Sequence, residues 1–470
     1  MSGIKSLFAQ VDMTEGRPWE KIVLFTVPML IGNIAQQLYN TVDSIVVGRY
    51  VGDNALAAVG SASPIFNLLL VLFVGIATGA GIMVAQYYGG RDRENLSKTI
   101  GTSITLTAIA SLFLMVVGTF AIRPILELLH TPDSIIDWCT SYLLILVWGI
   151  AGLFYYNILC GILRGLGDSV SALVYLLVAT VLNIVLDLGF VAGLKMGVAG
   201  VALATVIAQL VSAILCVFKL AKMSDLFDLK LTYLKLHKES MFTVIRLGLP
   251  SGVTQAIFSL AMVVVQSLTN SFGELVIAAN VIIMRVDGFA MMPNFSFGTA
   301  MTTYAGQNVG AGNLERVQKG AKQGTLLAVG TSAAITGIIL IFGRYLMAIF
   351  TETAELVTLS ANMMRILAAG YIAMAITQSL SGIMRGAGDT MTPMWISMLT
   401  TVVIRIPLAY GIAYFTRTPQ LPQGRYECIW ISLLSTWVLG AVITLICYRI
   451  GRWKKKALIN KEENHGNILL

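Results

Sequence analysis

Charge is what this chain has least of. Asp, Glu, Lys and Arg make up 12% of its 470 residues, about half the share expected of a soluble domain. Hydrophobic residues make up 56%, the mean hydropathy is +0.79, and no soluble domain of useful size fits between the apolar runs. A soluble globular protein is thereby excluded in favour of an integral membrane protein. Histidine is scarcer still: His130, His237 and His465 all fall in loops or in the tail, without a His/Cys cluster or metal-ligand spacing. The five cysteines (Cys139, Cys160, Cys216, Cys428 and Cys447) lie in or beside apolar runs without paired spacing. They read as small buried hydrophobes, not as a disulfide or zinc framework. Nothing pairs the acids and amides of the apolar runs with a nucleophile, so the sequence does not read as an enzyme. A cleavable leader is not expected either. The first apolar run is too long and too polar for a signal-peptide core, and no small-residue cleavage site follows it.

What the chain does have is apolar length. Twelve runs are long enough to cross a bilayer as helices, at about 22–47, 56–88, 97–121, 135–161, 169–191, 197–219, 241–271, 276–305, 319–341, 356–383, 392–414 and 427–450. The expected fold is an all-α integral membrane protein of twelve transmembrane helices. Basic residues cluster on alternate connections, from Lys5, Arg17 and Lys21 through Arg91, Arg93 and Lys98 to the Arg449–Lys461 group. The intervening loops hold only Arg49, Arg123, Lys195, Arg344, Arg417 and Arg425. By the positive-inside rule both termini are cytoplasmic. The formal charge of +8 is therefore a topology signal, and nucleic acid is not an expected partner.

The chain repeats itself. Gly161-Ile162-Leu163-Arg164-Gly165-Leu166-Gly167-Asp168 matches Gly382-Ile383-Met384-Arg385-Gly386-Ala387-Gly388-Asp389 at six of eight positions, 221 residues on. The same offset relates Gln86 and Gly89 to Gln307 and Gly310, and Gly52 to Gly273; an offset of 222 relates Pro28 to Pro250. Each copy holds six spans, an even number, so the repeat is parallel, with its pseudo-two-fold axis along the membrane normal. The expected organisation is an N-terminal lobe (1–221), a cytoplasmic connection (222–240), a C-terminal lobe (241–450) and a polar cytoplasmic tail (451–470). In the connection, leucines and Phe227 interleave with charges. That pattern suits a segment lying in the membrane interface, an ordinary solvated linker being the alternative.

Polar residues inside spans are costly and mark function by default; an aspartate near the bilayer centre costs at least ~2.5 kcal/mol. In the first span Asn33, Gln36, Gln37, Asn40 and Asp43 recur at steps of three and four and share a helix face. Asn183 and Asp187 share a face of the fifth span, as do Thr205 and Gln209 of the sixth. Two buried carboxylates with amide and hydroxyl oxygens suit a hard cation, and without one they suit a proton. The alternative is a satisfied hydrogen-bond knot. The second half does not copy this cluster: Asn183 and Asp187 become Ile404 and Leu408, and Asp43 becomes Val264 or Val265. Instead the eighth span carries Asn280, Asp287 and Asn294 at seven-residue steps, with Arg405 as a candidate partner for Asp287 and Arg285 on another face. Fourteen of the 21 methionines lie from Met241 onward; they suit either helix packing or a cavity that accepts many apolar shapes. Pro28, Pro250, Pro293 and Pro407 can kink their spans.

These residues resemble the multidrug and toxic compound extrusion (MATE) family, in particular its prokaryotic DinF/MepA-like members. The resemblance is carried by the Pro28-to-Asp43 span with Val42-Asp43-Ser44, Gly48-Arg49 and Ala55-Leu56-Ala57-Ala58-Val59-Gly60. It continues in Gln86-Tyr87-Tyr88-Gly89, the two Arg-Gly-x-Gly-Asp turns and Asn183-Ile184-Val185-Leu186-Asp187. It implies a cation-coupled antiporter in the prokaryotic inner membrane that exports amphipathic, often cationic compounds as a monomer, without a cofactor. The implied coupling site for H⁺ or Na⁺ is Asp43, Asn183, Asp187 and Thr205. The substrate cavity would draw on Asn33, Gln36, Gln37, Asn40, Gln255, Asn280, Met284, Asp287 and Met291. Some relatives also use a glutamate in the seventh span and an aspartate in the tenth; here those positions are apolar, near Phe258 and Met374. A lipid or lipid-linked oligosaccharide flippase of related fold is the alternative, and a channel the third reading.

Overall fold

The computed structural model describes residues 10–129, 131–230 and 232–458, apart from the side chains at positions 40, 42–45, 53, 54 and 56. The first half holds α1 (Pro18–Tyr50), α2 (Asp53–Gly89), α3 (Arg93–Leu128), α4 (Asp133–Trp148), α5 (Ile150–Gly165), α6 (Ser169–Asp187) and α7 (Gly197–Ala221). The second holds α8 (Lys238–Asn270), α9 (Glu274–Gly310), α10 (Leu314–Ala348), α11 (Ala354–Ala368), α12 (Gly370–Gly386), α13 (Met391–Met398), α14 (Ile406–Phe415) and α15 (Cys428–Ile450). Two π-helical segments interrupt this pattern, Leu188–Gly193 directly after α6 and Leu399–Arg405 between α13 and α14. Ten described helices are long and apolar enough to cross a membrane, and two bent pairs bring the number to twelve if each pair is one span. The twelve runs expected from the sequence are therefore all present as helices. Large apolar side chains such as Leu112, Phe113, Phe120, Val181 and Ile341 remain exposed on them, as on helices that face lipid.

The bends fall at 51° between α4 and α5 and 43° between α11 and α12. Neither is at a proline. Pro28, Pro250 and Pro293 sit inside the unbroken helices α1, α8 and α9, and Pro407 lies in the first turn of α14. At the bends stand Gly149 and Gly370, which the repeat superimposes. A Cβ on Gly149 would run into Val206, and one on Gly370 would lie 2.5 Å from the Trp437 ring.

The repeated octapeptide is explained by packing. A Cβ on Gly161 would sit 2.6 Å from the Ala77 carbonyl oxygen, and one on Gly382 would meet that of Gly298. Gly165 faces the Gly81 carbonyl and Gly386 that of Thr302. All four pairs keep the 221-residue offset, so α2 with α5 and α9 with α12 pack backbone to backbone at equivalent heights. Gly167 (φ 89°) and Gly388 (φ 94°) then turn the chain in the left-handed region. Asp168 and Asp389 accept from the backbone N–H of Ser171 (2.8 Å) and Thr392 (3.3 Å), opening the next helix. Asp92 and Asn313 do the same for α3 and α10.

The described residues form two compact units: 10–12 with 27–252, and 13–26 with 253–458. Relative to a division at residues 221 and 241, two helix starts change sides. The opening of α1 belongs to the second unit, where Arg316 donates to the carbonyls of Met13 (3.1 Å), Glu15 (2.8 Å) and Gly16 (2.8 Å). The opening of α8 belongs to the first, where Gly75 and Gly79 of α2 face the backbone of Gly248. In the first unit, Cys139, Tyr142 and Leu143 of α4 form a core with Ala58 and Ala62 of α2 and Val201 of α7. The second packs Met364, Leu367 and Tyr371 against Ile429 and Trp430 of α15. The described cysteines are free; Cys447 is half-buried and the other four are buried.

The 222–240 connection is strapped to α3. Arg93 donates to Ser224 O (2.8 Å), Asp225 O (2.9 Å) and the Asp228 carboxylate (3.0 Å). The Ser97 hydroxyl accepts from Asp228 N at 2.9 Å. Phe227 is buried while Leu229 and Leu236 are exposed; Leu231 lies outside the described residues. Replacing Arg93 by alanine should speed tryptic cleavage at Lys222, Lys230 and Lys235 several-fold without unfolding the helices, read on a gel over a digestion time course. The Arg93 hydrogen bond also holds the Asp228 carboxyl below its ordinary value. A depressed carboxylate contributes above the unfolded pKa and loses that contribution as pH falls through the folded one. The strap is therefore complete above about pH 4 and loosens below it. The start of the tail is folded. A 3₁₀ turn, Arg452–Lys455, buries Trp453, whose indole N–H donates to Tyr448 O at 3.0 Å. A tryptophan two residues past the left-handed cap Gly451 has apolar area to bury and one polar tip to satisfy.

Candidate functional site

The first polar cluster sits where α6 gives way to its π-helical extension. Asn183 and Asp187, one turn apart, are both fully buried, and the π segment starts at the next residue, Leu188. π-Segments inside helices concentrate at functional positions. Neither the oxygen nor the nitrogen of the Asn183 carboxamide has a hydrogen-bond partner among the described residues, and neither does Gln209 Oε1. Thr205, on α7, is half-buried and accepts from the Tyr39 hydroxyl of α1 at 3.3 Å. The side chains these two helices carry here are a carboxylate, two carboxamides and a hydroxyl, oxygen chemistry of the kind a hard cation prefers. Asp43 and Asn40 belong to α1 by backbone, but their side chains lie outside the described residues. On the same helix Asn33, Gln36 and Gln37 are half-buried.

The second cluster is a cavity inside the second unit, lined by residues of α8, α9, α11, the π segment and α15. Gln266, Asn280, Met284, Asp287, Arg405 and Trp430 are in its wall. Asp287 Oδ1 accepts from the Tyr371 hydroxyl at 2.9 Å, and Asn280 donates to Gln266 Oε1 at 3.4 Å. Asp287 and Arg405 attract each other through space, but no ion pair joins them among the described residues, and Arg405 Nε is shielded without a hydrogen-bond partner. The hydroxyl that bonds Asp287 comes instead from Tyr371, which α12 brings up to α9. Of the expected cavity residues, Asn280, Met284 and Asp287 are in this wall; Met291 is buried in the core and Gln255 is exposed.

Asn294 leaves the stripe it shares in sequence with Asn280 and Asp287. It is fully buried, accepts from the Ser332 hydroxyl at 2.7 Å and donates to Tyr371 O at 3.2 Å. It is a structural knot beneath the cavity. Asn294→Ala should cost about 1–3 kcal/mol, since it strands a buried hydroxyl and a buried carbonyl together; a lowered melting temperature in detergent measures it. Sequence reading missed Tyr371, Gln266 and Trp430. Gln266 carried a signal, a carboxamide within the apolar seventh span, whereas Tyr371 and Trp430 look like any core aromatic.

The comparisons with known proteins agree with this architecture. The MatE family profile matches twice, over residues 28–188 and 250–411, once per repeat. The chain is 29% identical over 447 residues to the probable multidrug resistance protein YoeA of Bacillus subtilis, covering 94% of this chain and 95% of that one. It is 24% identical to the probable multidrug resistance protein NorM of Thermotoga maritima, covering 94% and 95%. Among solved structures, an outward-facing multidrug resistance MATE family transporter of the MOP superfamily superposes with a TM-score of 0.87 at 26% identity, covering 95% of this chain and 99% of that one. The two profile matches decide the assignment: this multi-pass membrane protein belongs to the MatE family of multidrug efflux transporters.

Proposed function

We propose that the protein is a cation-coupled antiporter that expels amphipathic, often cationic compounds by alternating access, with both termini in the cytoplasm. The ion, H⁺ or Na⁺, is held by Asp43, Asn183, Asp187 and Thr205 of the N-terminal lobe. The substrate is taken up by cavity residues including Asn280, Met284 and Asp287. The observation that carries this reading is the fully buried Asp187 one turn from a buried carboxamide whose two polar atoms have no partner among the described residues. A knot that only locked the helices would leave no such atoms unused. An ion entering there from outside disfavours the substrate-loaded state, and its release inside restores it. Reciprocity requires each ligand to weaken the other by the same factor.

The test is efflux of a fluorescent organic cation from proteoliposomes under Na⁺ and pH gradients imposed one at a time. One of the two should drive the dye against its own gradient. If neither raises efflux above passive leak, the antiport reading fails.

A further inference from the structure

Two opposite charges share the second unit's cavity and attract each other through space, without forming an ion pair among the described residues. Asp287 enters it from α9 and Arg405 from the last residue of the π segment, with Met262, Ile283, Met284 and Trp430 supplying apolar wall. Asp287 commits one carboxylate oxygen to the Tyr371 hydroxyl, at 2.9 Å. Arg405 makes no hydrogen bond among the described residues, although its Nε is shielded from solvent. A guanidinium stays charged and presents five donors in a planar fork, so leaving it without an acceptor inside a membrane protein is costly. A direct ion pair would relieve both groups, but only a through-space attraction links them, and it gives the guanidinium donors no acceptor. The cavity's charge pattern therefore suits a molecule that brings its own anion to Arg405 and its own cation to Asp287.

We propose that this cavity recognises a small amphipathic organic zwitterion. A carboxylate or similar planar oxyanion lies in the Arg405 fork, an ammonium meets the free oxygen of Asp287, and an apolar body rests on Met262, Met284 and Trp430. The inference rests on taking the cavity as a substrate site. It makes Arg405 the specificity residue, because a compound carrying only a cation leaves the guanidinium unpartnered. Sites built to pair a polar group discriminate strongly against analogues lacking it.

The experiment is equilibrium binding to the purified full-length protein in detergent, with no ion gradient, using three matched probes. They are 2-naphthylalanine as the zwitterion, its methyl ester as the cation alone and its N-acetyl derivative as the anion alone. The wild type should bind the zwitterion at least about tenfold more tightly than either relative, the size of one charged hydrogen-bonded contact. Arg405→Gln should bring the zwitterion down to the ester's affinity while leaving the ester within about twofold of its wild-type value. Asp287→Asn should bring it down to that of the N-acetyl form. An ester that binds the wild type as tightly as the zwitterion overturns the proposal. So does an unchanged preference in Arg405→Gln, or a zwitterion that does not bind at millimolar concentration. If Arg405→Gln is not monodisperse, Arg405→Lys serves instead: it keeps the charge, loses the fork, and should weaken the zwitterion at least about fivefold with the ester unchanged. Unaltered zwitterion affinity there also overturns it. Binding without a gradient is independent of ion coupling. Loss of the antiport reading would leave these affinities standing, and an active, coupled transporter lacking the zwitterion preference would refute this inference alone.

Discussion

Asp187→Asn should bring ion-driven efflux down to passive leak while leaving the protein folded. The substitution keeps the shape and removes only the charge and one acceptor. Asp187 is fully buried beside Asn183, and the helix changes to π geometry at the residue that follows. A neutral amide there no longer has to be compensated, so melting in detergent should hold or rise, since replacing a buried charge by a neutral group is often neutral or stabilising. Coupling between two ligands is typically about 1–3 kcal/mol, a five- to 150-fold effect, and all of it should go with the carboxylate. Asp43→Asn should give the same loss. Asn183→Ala should add little to Asp187→Asn if both act on one ion, whereas independent sites would add. The measurement is dye efflux from proteoliposomes under whichever gradient drives the wild type. A variant that folds and still pumps uphill at the wild-type rate removes Asp187 from the coupling site.

How much of this was legible in the residues differs by feature, for physical reasons. Apolar length decides where a helix can cross a membrane, so every expected run coincides with a helix, although helices such as Arg93–Leu128 and Leu314–Ala348 continue past their runs. The repeat was visible because glycines under backbone contact cannot drift: Gly161, Gly165, Gly382 and Gly386 each face a carbonyl oxygen of the neighbouring helix. The bends were not legible. Proline announces a kink by its chemistry, but Gly149 and Gly370 break their helices through what they pack against, Val206 and Trp437, and those neighbours are far away in sequence. The Asn183–Asp187 pair could be read because one helical turn links its members. Hydrogen bonds across helices could not: charge pointed Asp287 at Arg405, which attracts the carboxylate without bonding it, whereas Tyr371 donates the hydrogen bond. The burial of Trp453 was likewise hidden in a tail whose composition reads only as polar.

Gly386→Ala should destabilise the protein by about 2–3 kcal/mol, the upper part of the range for overpacking, despite adding a single methyl group. The new Cβ would press on the Thr302 carbonyl oxygen and come within 2.8 Å of Ala305 Cβ and 2.9 Å of Gly306 N. Two of those neighbours are backbone, which cannot rotate away, so α9 and α12 would have to separate along their shared length. Gly165→Ala meets the Gly81 carbonyl at 2.6 Å and Val84 Cγ1 at 2.9 Å, and should lose a similar amount in the first unit. Gly337, on α10, is the control: nothing lies within 4 Å of its added Cβ. There alanine should be neutral or gain about 0.5–1 kcal/mol from helix propensity. The two damaging changes share no neighbours, so the double variant should lose close to their sum. Melting of the three single variants and the double in one detergent gives the order directly. If Gly386→Ala and Gly165→Ala melt with Gly337→Ala, backbone contact is not what the repeated octapeptide preserves. If they melt far below it, the octapeptide is a packing device first. Its Arg-Gly-x-Gly-Asp turn then follows from the need to end α5 and α12 where the backbones touch and to start the next helix on an aspartate cap.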